Sequence, residues 1–309
     1  MEAQAWSAYW QGSGSKDAAV RSQGRNRSYE AFWSGLARQM AASGELAQHV
    51  DLACGSGLVS RAIREGLGAA HACQQHVFDV SADAVSMARS GLPDHSLGGA
   101  VGNACQLPYG DGRFALVTSQ YGLEYAGIEA LGEAVRILAP GGWFIALIHV
   151  SDGPIARECA DNLTCLDHVG ESGVLEAVET GLTRKPGEGI LTRIDEALAW
   201  QKSAPDCPAR DFTLRLLADA KTLWQRRDAY HLNDALGWIA HQKTEVEAYK
   251  ARMSSMLDAA LTRGEIMRYF ADLAETPIAH FAISEFVLDG DQEASAWHLA
   301  IQKRAAGKG

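Results

Sequence analysis

The residues whose types and spacing best fit a ligand site are 50–57, which read Val-Asp-Leu-Ala-Cys-Gly-Ser-Gly. An apolar strand pattern ends at Asp51, and small residues then stand at every second position: Ala53, Gly55 and Gly57. A strand, a tight turn of small residues and a helix N-terminus bring backbone N–H groups close to the polar end of a ligand. The dinucleotide fingerprint Gly-x-Gly-x-x-Gly is excluded, because its third glycine would fall on Ser60.

This loop resembles the acid-x-Gly-x-Gly-x-Gly loop of class I S-adenosylmethionine-dependent methyltransferases, with Ala53 where that family usually has its first glycine. Further motifs of the family follow in order: Phe78-Asp79-Val80-Ser81, Gly102-Asn103-Ala104-Cys105-Gln106-Leu107-Pro108, Phe114-Ala115-Leu116-Val117, and a Glu-x-x-Arg-x-Leu-x-Pro-Gly-Gly run that ends at Gly142. The resemblance covers about half of the chain and implies S-adenosyl-L-methionine as cofactor. The cofactor contacts that it implies are Asp51, Ala53, Cys54, Gly55, Gly57, Asp79, Val80, Asn103, Ala104 and Ser119.

Two of these positions have a role in the family that their chemistry suits. The match of Asp79 accepts hydrogen bonds from the ribose hydroxyls, and a carboxylate can accept from two hydroxyls at once. Its alternative is to cap the helix from Ala82, although Ser81 already suits that position. Asn103 stands where the family usually has an aspartate that reads adenine, and its alternative is an ordinary turn asparagine.

The acceptor side of the site is expected after the fourth and fifth strands. His149 lies near the carboxyl end of the fifth predicted strand, at the sheet edge where ligands bind in open α/β folds, and an imidazole can act as a general base near neutral pH. Tyr121 and Glu124 follow the fourth strand and are candidates to orient the substrate or contact the methionine end of the cofactor. The alternatives are a histidine that bonds local carbonyls and side chains that only pack.

The early aromatic residues Trp6, Tyr9 and Trp10 are candidate substrate contacts, together with Tyr121. They could close over the cofactor or hold a cationic substrate by cation–π contact, and the alternative is that they form core. We expect no metal, because the run His71-Ala72-Cys73-Gln74-Gln75-His76 enters a strand whose side chains face alternate sides.

The elements that must position these residues alternate between strands and helices. Strands are predicted at 49–53, 76–80, 99–102, 114–119 and 143–150, with helices at 58–66, 82–89 and 128–138. A strand at 281–288, a turn and a strand at 297–302 predict a closing antiparallel hairpin. The fold class is therefore α/β: a doubly wound, mostly parallel seven-stranded sheet with a terminal antiparallel hairpin.

Helical periodicity without strand signals fills the stretch between the fifth strand and the hairpin. We therefore predict an N-terminal aromatic helical lid (1–46), a cofactor-binding Rossmann-like domain (47–150 and 279–309), and an inserted all-helical subdomain (151–278) that covers the substrate. The insertion is too long for a simple crossover.

Composition limits the function classes. The 309 residues carry a formal net charge of −10, which argues against tight nucleic-acid binding. Apolar runs fall short of the roughly 20 residues that span a bilayer, and the first residues do not resemble a signal peptide. The six cysteines lack pairing spacing, so we expect reduced thiols and a cytoplasmic protein, either monomer or homodimer.

The pattern predicts a methyltransferase that acts on an oxygen or nitrogen of a small organic acceptor. The runner-up is a methyltransferase for a protein or tRNA. A cofactor-binding sensor or scaffold without catalysis is the third reading, which the substitutions at Ala53, Asn103 and Ala115 leave open.

Overall fold

A computed structural model describes residues 23–43, 46–68, 71–92, 98–184, 189–273 and 277–306. Within those ranges one sheet has the strand order β3-β2-β1-β4-β5-β7-β6. The strands are β1 (Gln48–Leu52), β2 (Gln74–Asp79), β3 (Gly98–Val101), β4 (Phe114–Gln120), β5 (Leu138–His149), β6 (Ile278–Val287) and β7 (Ala294–Lys303). The first five pair in parallel, and β7 runs antiparallel to both β5 and β6.

The helices differ in their place relative to this sheet. Those that alternate with its strands are α1 (Gln23–Ser43), α2 (Leu58–Leu67), α3 (Ala82–Ser90), a 3-10 turn (Leu123–Ala126), α4 (Glu129–Arg136) and, before the hairpin, α10 (Arg263–Asp272). Between β5 and α10 come α5 (Pro154–Ser172), α6 (Val174–Thr183), α7 (Ile190–Ser203), α8 (Pro208–Gln225), a 3-10 turn (Arg227–Ala229) and α9 (Leu232–Ala259). None of the helices described is long and apolar enough to cross a membrane.

Two hydrophobic layers cover the faces of the sheet, because successive strand residues point to opposite sides. Val50, Leu52 and Val117 share one core cluster with residues of α4 and α10. Leu116 and Ile145 share another with Trp33 of α1 and Ile63 of α2. Helices on both faces make the sheet doubly wound, which confirms the predicted fold class.

The strand order reverses between β1 and β4. The chain moves outward from β1 through β2 to β3 and then returns to place β4 on the other side of β1. Asp51 of β1 lies opposite Thr118 of β4 in the parallel register. The carboxyl ends of β1 and β4 therefore stand at a topological switch point, which is where open α/β sheets bind ligands.

The fifth strand begins earlier than the sequence pattern predicts. Leu138 already pairs with Phe114, so α4 ends at Arg136 and not at 138. The register then shifts, and Trp143 pairs with Leu116. The Pro-Gly-Gly turn that we predicted as a connection lies inside this irregularity of the strand.

The described residues divide into two compact units. One contains the sheet and its helices, up to Pro154 and again from Ala259, and the other is helical and spans Ile155–Asp258. The helical unit has its own core, which includes Leu166, Val178 and Leu217. Its end at Asp258 precedes the predicted boundary at 278, because Ile266 and Phe270 of α10 pack in the core of the sheet.

Candidate functional site

The loop after β1 has the backbone conformation that its small residues suggest. Ala53, Gly55 and Gly57 all have positive φ angles of 53°, 50° and 79°. A Cβ on Gly57 would come within 2.9 Å of the Ala88 backbone, so α3 approaches the loop too closely for a side chain. The Cys54 amide donates to the Phe78 carbonyl at 3.0 Å, which ties the loop to β2.

Asp79 joins the end of β2 to this loop. Its Oδ2 accepts from the Gly55 amide at 3.0 Å and its Oδ1 accepts from the Ser81 amide at 2.9 Å. Burial raises the pKa of Asp79, while these backbone hydrogen bonds oppose the rise. Each oxygen retains a second lone pair, so the bonds leave room for the two predicted ribose hydroxyls. Ser81 caps α3 by accepting from the Ala84 amide, as expected.

Next to Asp79 lies an apolar surface open to solvent. Val80 is 39% exposed, and Val101, which is paired with Asp79 on β3, is 52% exposed. Asn103 follows on the same edge, where its Oδ1 accepts from the Cys105 amide at 2.9 Å, and Ala104 is buried beside it. Asn103 therefore stabilises a turn, which is the alternative role that the sequence left open. Its amide N–H₂ group has no hydrogen-bond acceptor among the residues described. Adenine recognition by Asn103 stays a prediction.

Asp51 lies beneath the loop. Its side chain is 1% exposed; Oδ2 accepts from the Ser60 amide at 3.2 Å and the Ser60 hydroxyl at 2.8 Å, and Oδ1 accepts from the Thr118 hydroxyl at 3.2 Å. Burial raises the pKa of Asp51 to about 7, even though these hydrogen bonds favour the ionised form. Direct contact between Asp51 and a cofactor stays a prediction, since every partner seen here belongs to the protein.

The Cys54 thiol, also a predicted cofactor contact, is buried in the loop. Burial raises its pKa far above the usual range, and the nearby carboxylates of Asp51 and Asp79 add to the effect. A thiol held protonated in this way is a poor nucleophile. Cys54 is therefore suited to shape the loop and not to react.

Glu124 and His149 form a buried pair at the acceptor side. Glu124 Oε1 lies 2.7 Å from His149 Nδ1 and also accepts from the His149 amide at 3.0 Å. The side chains are only 1% and 5% exposed. Because a carboxylate can only accept, Nδ1 carries the proton, and the lone pair of the neutral imidazole is on Nε2. No group in the described parts of the chain hydrogen-bonds to Nε2.

Tyrosine rings surround this imidazole. The ring centroid of Tyr121 is 4.5 Å and that of Tyr125 is 5.8 Å from His149. The Tyr121 hydroxyl donates to the Ser295 carbonyl at 3.1 Å and lies 2.9 Å from the Tyr29 hydroxyl, so Tyr29 is the donor in that pair. Tyr121 also has a positive φ of 52°, a strained value for a side chain of this size. Its ring is thereby placed against His149.

Two buried polar atoms near these residues have no hydrogen-bond partner in the described part of the protein: Ser119 Oγ and Glu124 Oε2. A buried polar group is usually satisfied, so both atoms indicate a missing partner such as a ligand or water. Together with the glycine loop, Asp79 and the exposed face of Val80, they fit a nucleoside cofactor with a polar tail.

Several predicted and unpredicted residues remain to be placed. Trp6, Tyr9 and Trp10 lie outside the described residues. Among the rest of the chain that is described, no group of three metal-ligating side chains could hold an ion. Three further residues of the site were not predicted from the sequence. Tyr29 bonds to Tyr121, Thr118 bonds to Asp51, and His49 bonds to Thr118. The sequence does contain a signal for His49. Residues two positions apart in a strand point to the same face of the sheet, and His49 stands two positions before Asp51.

Comparison with known proteins finds a family model that matches part of the chain. Residues 50–146 match the family model described as "Methyltransferase domain". No curated protein is similar enough to match the chain. A protein in complex with the Haloferax volcanii Trm112 methyltransferase activator is 25% identical, with 47% of this chain and 60% of that one covered and a TM-score of 0.37.

Two further solved structures illustrate the range of similarity. An S-adenosylmethionine-dependent methyltransferase from Mesorhizobium loti is 23% identical over 35% of this chain and 50% of its own, with a TM-score of 0.31. A Methanococcus maripaludis structure assigned to the S-adenosyl-L-methionine-dependent methyltransferases is 12% identical over 97% of this chain and 94% of its own, with a TM-score of 0.46. The chain thus spans only 60% and 50% of the first two relatives.

Proposed function

We propose that this chain, whose residues 50–146 match the methyltransferase-domain model, is a class I S-adenosylmethionine-dependent methyltransferase that methylates an oxygen of a small organic acceptor with His149 as general base. The observation that carries the proposal is the Glu124–His149 pair. Its geometry turns Nδ1 to the carboxylate and leaves Nε2 as the ring nitrogen that would accept a proton at the sheet edge.

The cofactor would be held by the glycine loop, by Asp79 at its ribose, and by Val80, Asn103 and Ala104 at its base. When bound, S-adenosyl-L-methionine supplies an electrophilic methyl group on a sulfonium. The protein's contribution is to align the acceptor, to exclude water and to remove the acceptor proton.

A hydroxyl acceptor explains why the site contains a base. Neutral hydroxyls are poor nucleophiles, so proton removal during the transfer lowers the barrier. His149 Nε2 would take that proton, and Glu124 would stabilise the resulting imidazolium through the 2.7 Å bond to Nδ1. Tyr121 and Tyr125 would hold the ring in place.

An amine acceptor is the second candidate, and a specific observation favours it. Glu124 Oε2 is buried without a partner among the residues described, and an ammonium or amine N–H would satisfy it. A small acceptor is supported in either case by the net charge of −10, which disfavours a nucleic-acid substrate. A role of the helical unit in covering the acceptor, a cytoplasmic location and the choice between monomer and homodimer stay predictions.

The test is a screen of phenols, hydroxy acids and primary amines for S-adenosylhomocysteine release, followed by His149→Gln with the best acceptor. We expect the rate constant kcat to fall about 10²- to 10⁴-fold, which is typical for loss of a general base. Cofactor affinity measured by calorimetry should change little, since the proposed base is not a cofactor contact.

His280→Gln is the matched control, because His280 is an exposed histidine of β6. It should keep the wild-type rate. Glu124→Gln should lower the rate in the same direction as His149→Gln, since an amide cannot hold the imidazole in the same way. An unchanged rate in His149→Gln would refute the base, and failure of the wild-type protein to bind either the cofactor or its product would refute the proposed function.

A further inference from the structure

A chain of buried polar side chains lies under the loop after β1 (residues 53–57), which is called the cofactor loop from here on. His49, Ser60, Gln75 and Thr118 are each no more than 2% exposed, and all of them lead to Asp51. Among the residues that the structure describes, the partners of the Asp51 carboxylate are Ser60 and Thr118, and no Arg or Lys side chain bonds to it. Within that part of the chain, neutral hydrogen-bond donors stabilise the charge of Asp51 in a buried position.

Asp51 also fixes both ends of the loop. It lies one residue before the end of β1, and its carboxylate accepts from the amide of Ser60 in the first turn of α2. The N-cap residue of α2, Gly57, has no side chain to do this. A negative charge at a helix N-terminus is favourable. Ionised Asp51 therefore replaces the missing cap and holds the loop between strand and helix.

The hydrogen bonds have a fixed direction. Gln75 Nε2 donates to His49 Nδ1 at 3.2 Å and to the Ser60 carbonyl at 3.1 Å. His49 Nδ1 is consequently an acceptor, so the ring proton is on Nε2, which donates to Thr118 Oγ1 at 2.8 Å. Thr118 then has its own proton to give, and the nearest acceptor is Asp51 Oδ1 at 3.2 Å.

Thr118 has a second acceptor within reach. The Val50 carbonyl lies 3.5 Å from Thr118 Oγ1. If Asp51 is protonated, Thr118 can turn its proton to Val50 and accept from Asp51, while it still accepts from His49. The network can therefore satisfy both the ionised and the neutral form of Asp51 by rotation of one hydroxyl.

We propose that Thr118, held by His49, is a positioning residue that sets the ionisation of Asp51, and that ionised Asp51 makes the loop prefer the sulfonium cofactor to its neutral thioether product. The proposal rests on the cofactor site of the proposed function. The cofactor carries one more positive charge than S-adenosylhomocysteine. A buried negative charge beneath the loop would thus favour binding of the substrate form and release of the product.

Other titratable groups face this network and must be separated from Asp51. They are His49 on β1, Asp79 and His76 on β2, and the Cys54 thiol in the loop. Burial and the neighbouring His76 lower the pKa of His49 to about 3, so it stays neutral. Burial raises the pKa of Cys54 far above neutrality, so it stays protonated. Asp79 has a raised pKa as well, but its bonds to Gly55 and Ser81 do not involve Thr118.

The experiment measures the affinities of S-adenosylmethionine and S-adenosylhomocysteine by calorimetry between pH 5.5 and 7.5. In the wild-type protein the ratio of the two affinities should shift toward the cofactor by about fivefold as pH rises and Asp51 ionises. Binding of the cofactor should release protons, detected as a dependence of the apparent enthalpy on the ionisation enthalpy of the buffer.

Thr118→Val removes the donor to Oδ1 at nearly constant volume and should keep Asp51 neutral to higher pH. The affinity ratio at pH 7.5 should then fall by about fivefold, toward that of Asp51→Asn, whose ratio should not vary with pH. Thr118→Ser retains the hydroxyl and should restore the wild-type profile. Comparison at one pH cancels the titration of the ligands themselves.

The outcomes distinguish this inference from the proposed function. If neither ligand binds the wild-type protein, the cofactor site itself fails. If both bind with a pH-independent ratio, or if Thr118→Val retains the wild-type profile, Thr118 does not set the charge of Asp51 and the inference is overturned. A profile that persists in Thr118→Val and disappears in Asp79→Asn would assign the titration to Asp79.

Discussion

Ala53, in the loop after β1, faces Gly122 in the turn after β4 at short distance. Ala53 has a positive φ of 53°, which is unfavourable for a residue with a Cβ. Its methyl group points at Gly122, where an added Cβ would lie 2.5 Å from Ala53 Cβ. The methyl group that replaces the family's first glycine is thus accommodated by a glycine on the facing turn.

Gly122→Ala should therefore destabilise the protein by about 1–3 kcal/mol through steric overlap. The φ of Gly122 is −155°, outside the left-handed region that favours glycine, so the overlap with Ala53 is the expected cause. In the double variant Ala53→Gly/Gly122→Ala the overlapping methyl is gone, and we expect at least 1 kcal/mol of the loss to return, as coupled neighbours do. Urea unfolding of the four proteins measures this cycle.

Gly110→Ala is the control for the cycle, since a Cβ there meets nothing within 4 Å. It should change the free energy of unfolding by less than about 0.5 kcal/mol. Additive effects of the two substitutions at 53 and 122 would show that the contact between these residues does not determine the choice of glycine.

At the residue scale, sequence predicted best where side-chain chemistry and position in a strand coincide. Asp79 and His149 end apolar strands, and both lie at the carboxyl edge of the sheet. The pairing of Glu124 with His149 could not be predicted, because it depends on how a 3-10 turn packs on β5. The bond from Thr118 to Asp51 depends in the same way on the register between β1 and β4.

Among the elements, α10 accounts for the difference between the predicted end of the insertion at 278 and the end of the helical unit at Asp258. Its periodicity is the same as that of the preceding helices, and no sequence signal says which core its apolar face joins. In the structure Ile266 and Phe270 pack against the sheet. The segment just before it contacts the end of β5, where the Leu261 amide donates to the His149 carbonyl at 3.0 Å.

The start of α10 is fixed by a capping box, which gives a prediction at this scale. Thr262 Oγ1 accepts from the Glu265 amide at 3.1 Å, and Glu265 Oε2 accepts from the Thr262 amide at 2.8 Å. Thr262→Ala should destabilise the protein by about 1 kcal/mol in thermal or urea unfolding. Thr262→Ser keeps the hydroxyl and should stay close to wild type. Equal losses in both variants would point to the lost methyl group and not to the cap.

For the whole molecule, the dependence of stability on pH reflects opposing contributions from the same buried network. The pKa of His49 is lowered to about 3 in the folded protein. As pH falls below about 6.5, the imidazole is therefore protonated in the unfolded state and not in the folded state, and this difference destabilises the fold. Asp51 has its pKa raised to about 7, so the folded state binds its proton first and this group has the opposite effect. The pH dependence of wild-type stability alone therefore does not separate the contribution of His49 from that of Asp51.

His49→Gln separates them, because glutamine is neutral at every pH and its amide can still donate to Thr118. The variant should be less stable than wild type at pH 8, where the network is intact. At pH 5.5 wild type alone carries the cost of keeping an imidazole neutral, so the stability gap should narrow by about 1.4 kcal/mol. Urea unfolding at the two pH values measures the gap, and His280→Gln, an exposed histidine, should show no such change. A gap that is the same at pH 5.5 and pH 8 would mean that His49 is not held neutral in the folded protein, and the direction assigned to the hydrogen bonds from Gln75 to Asp51 would then be wrong.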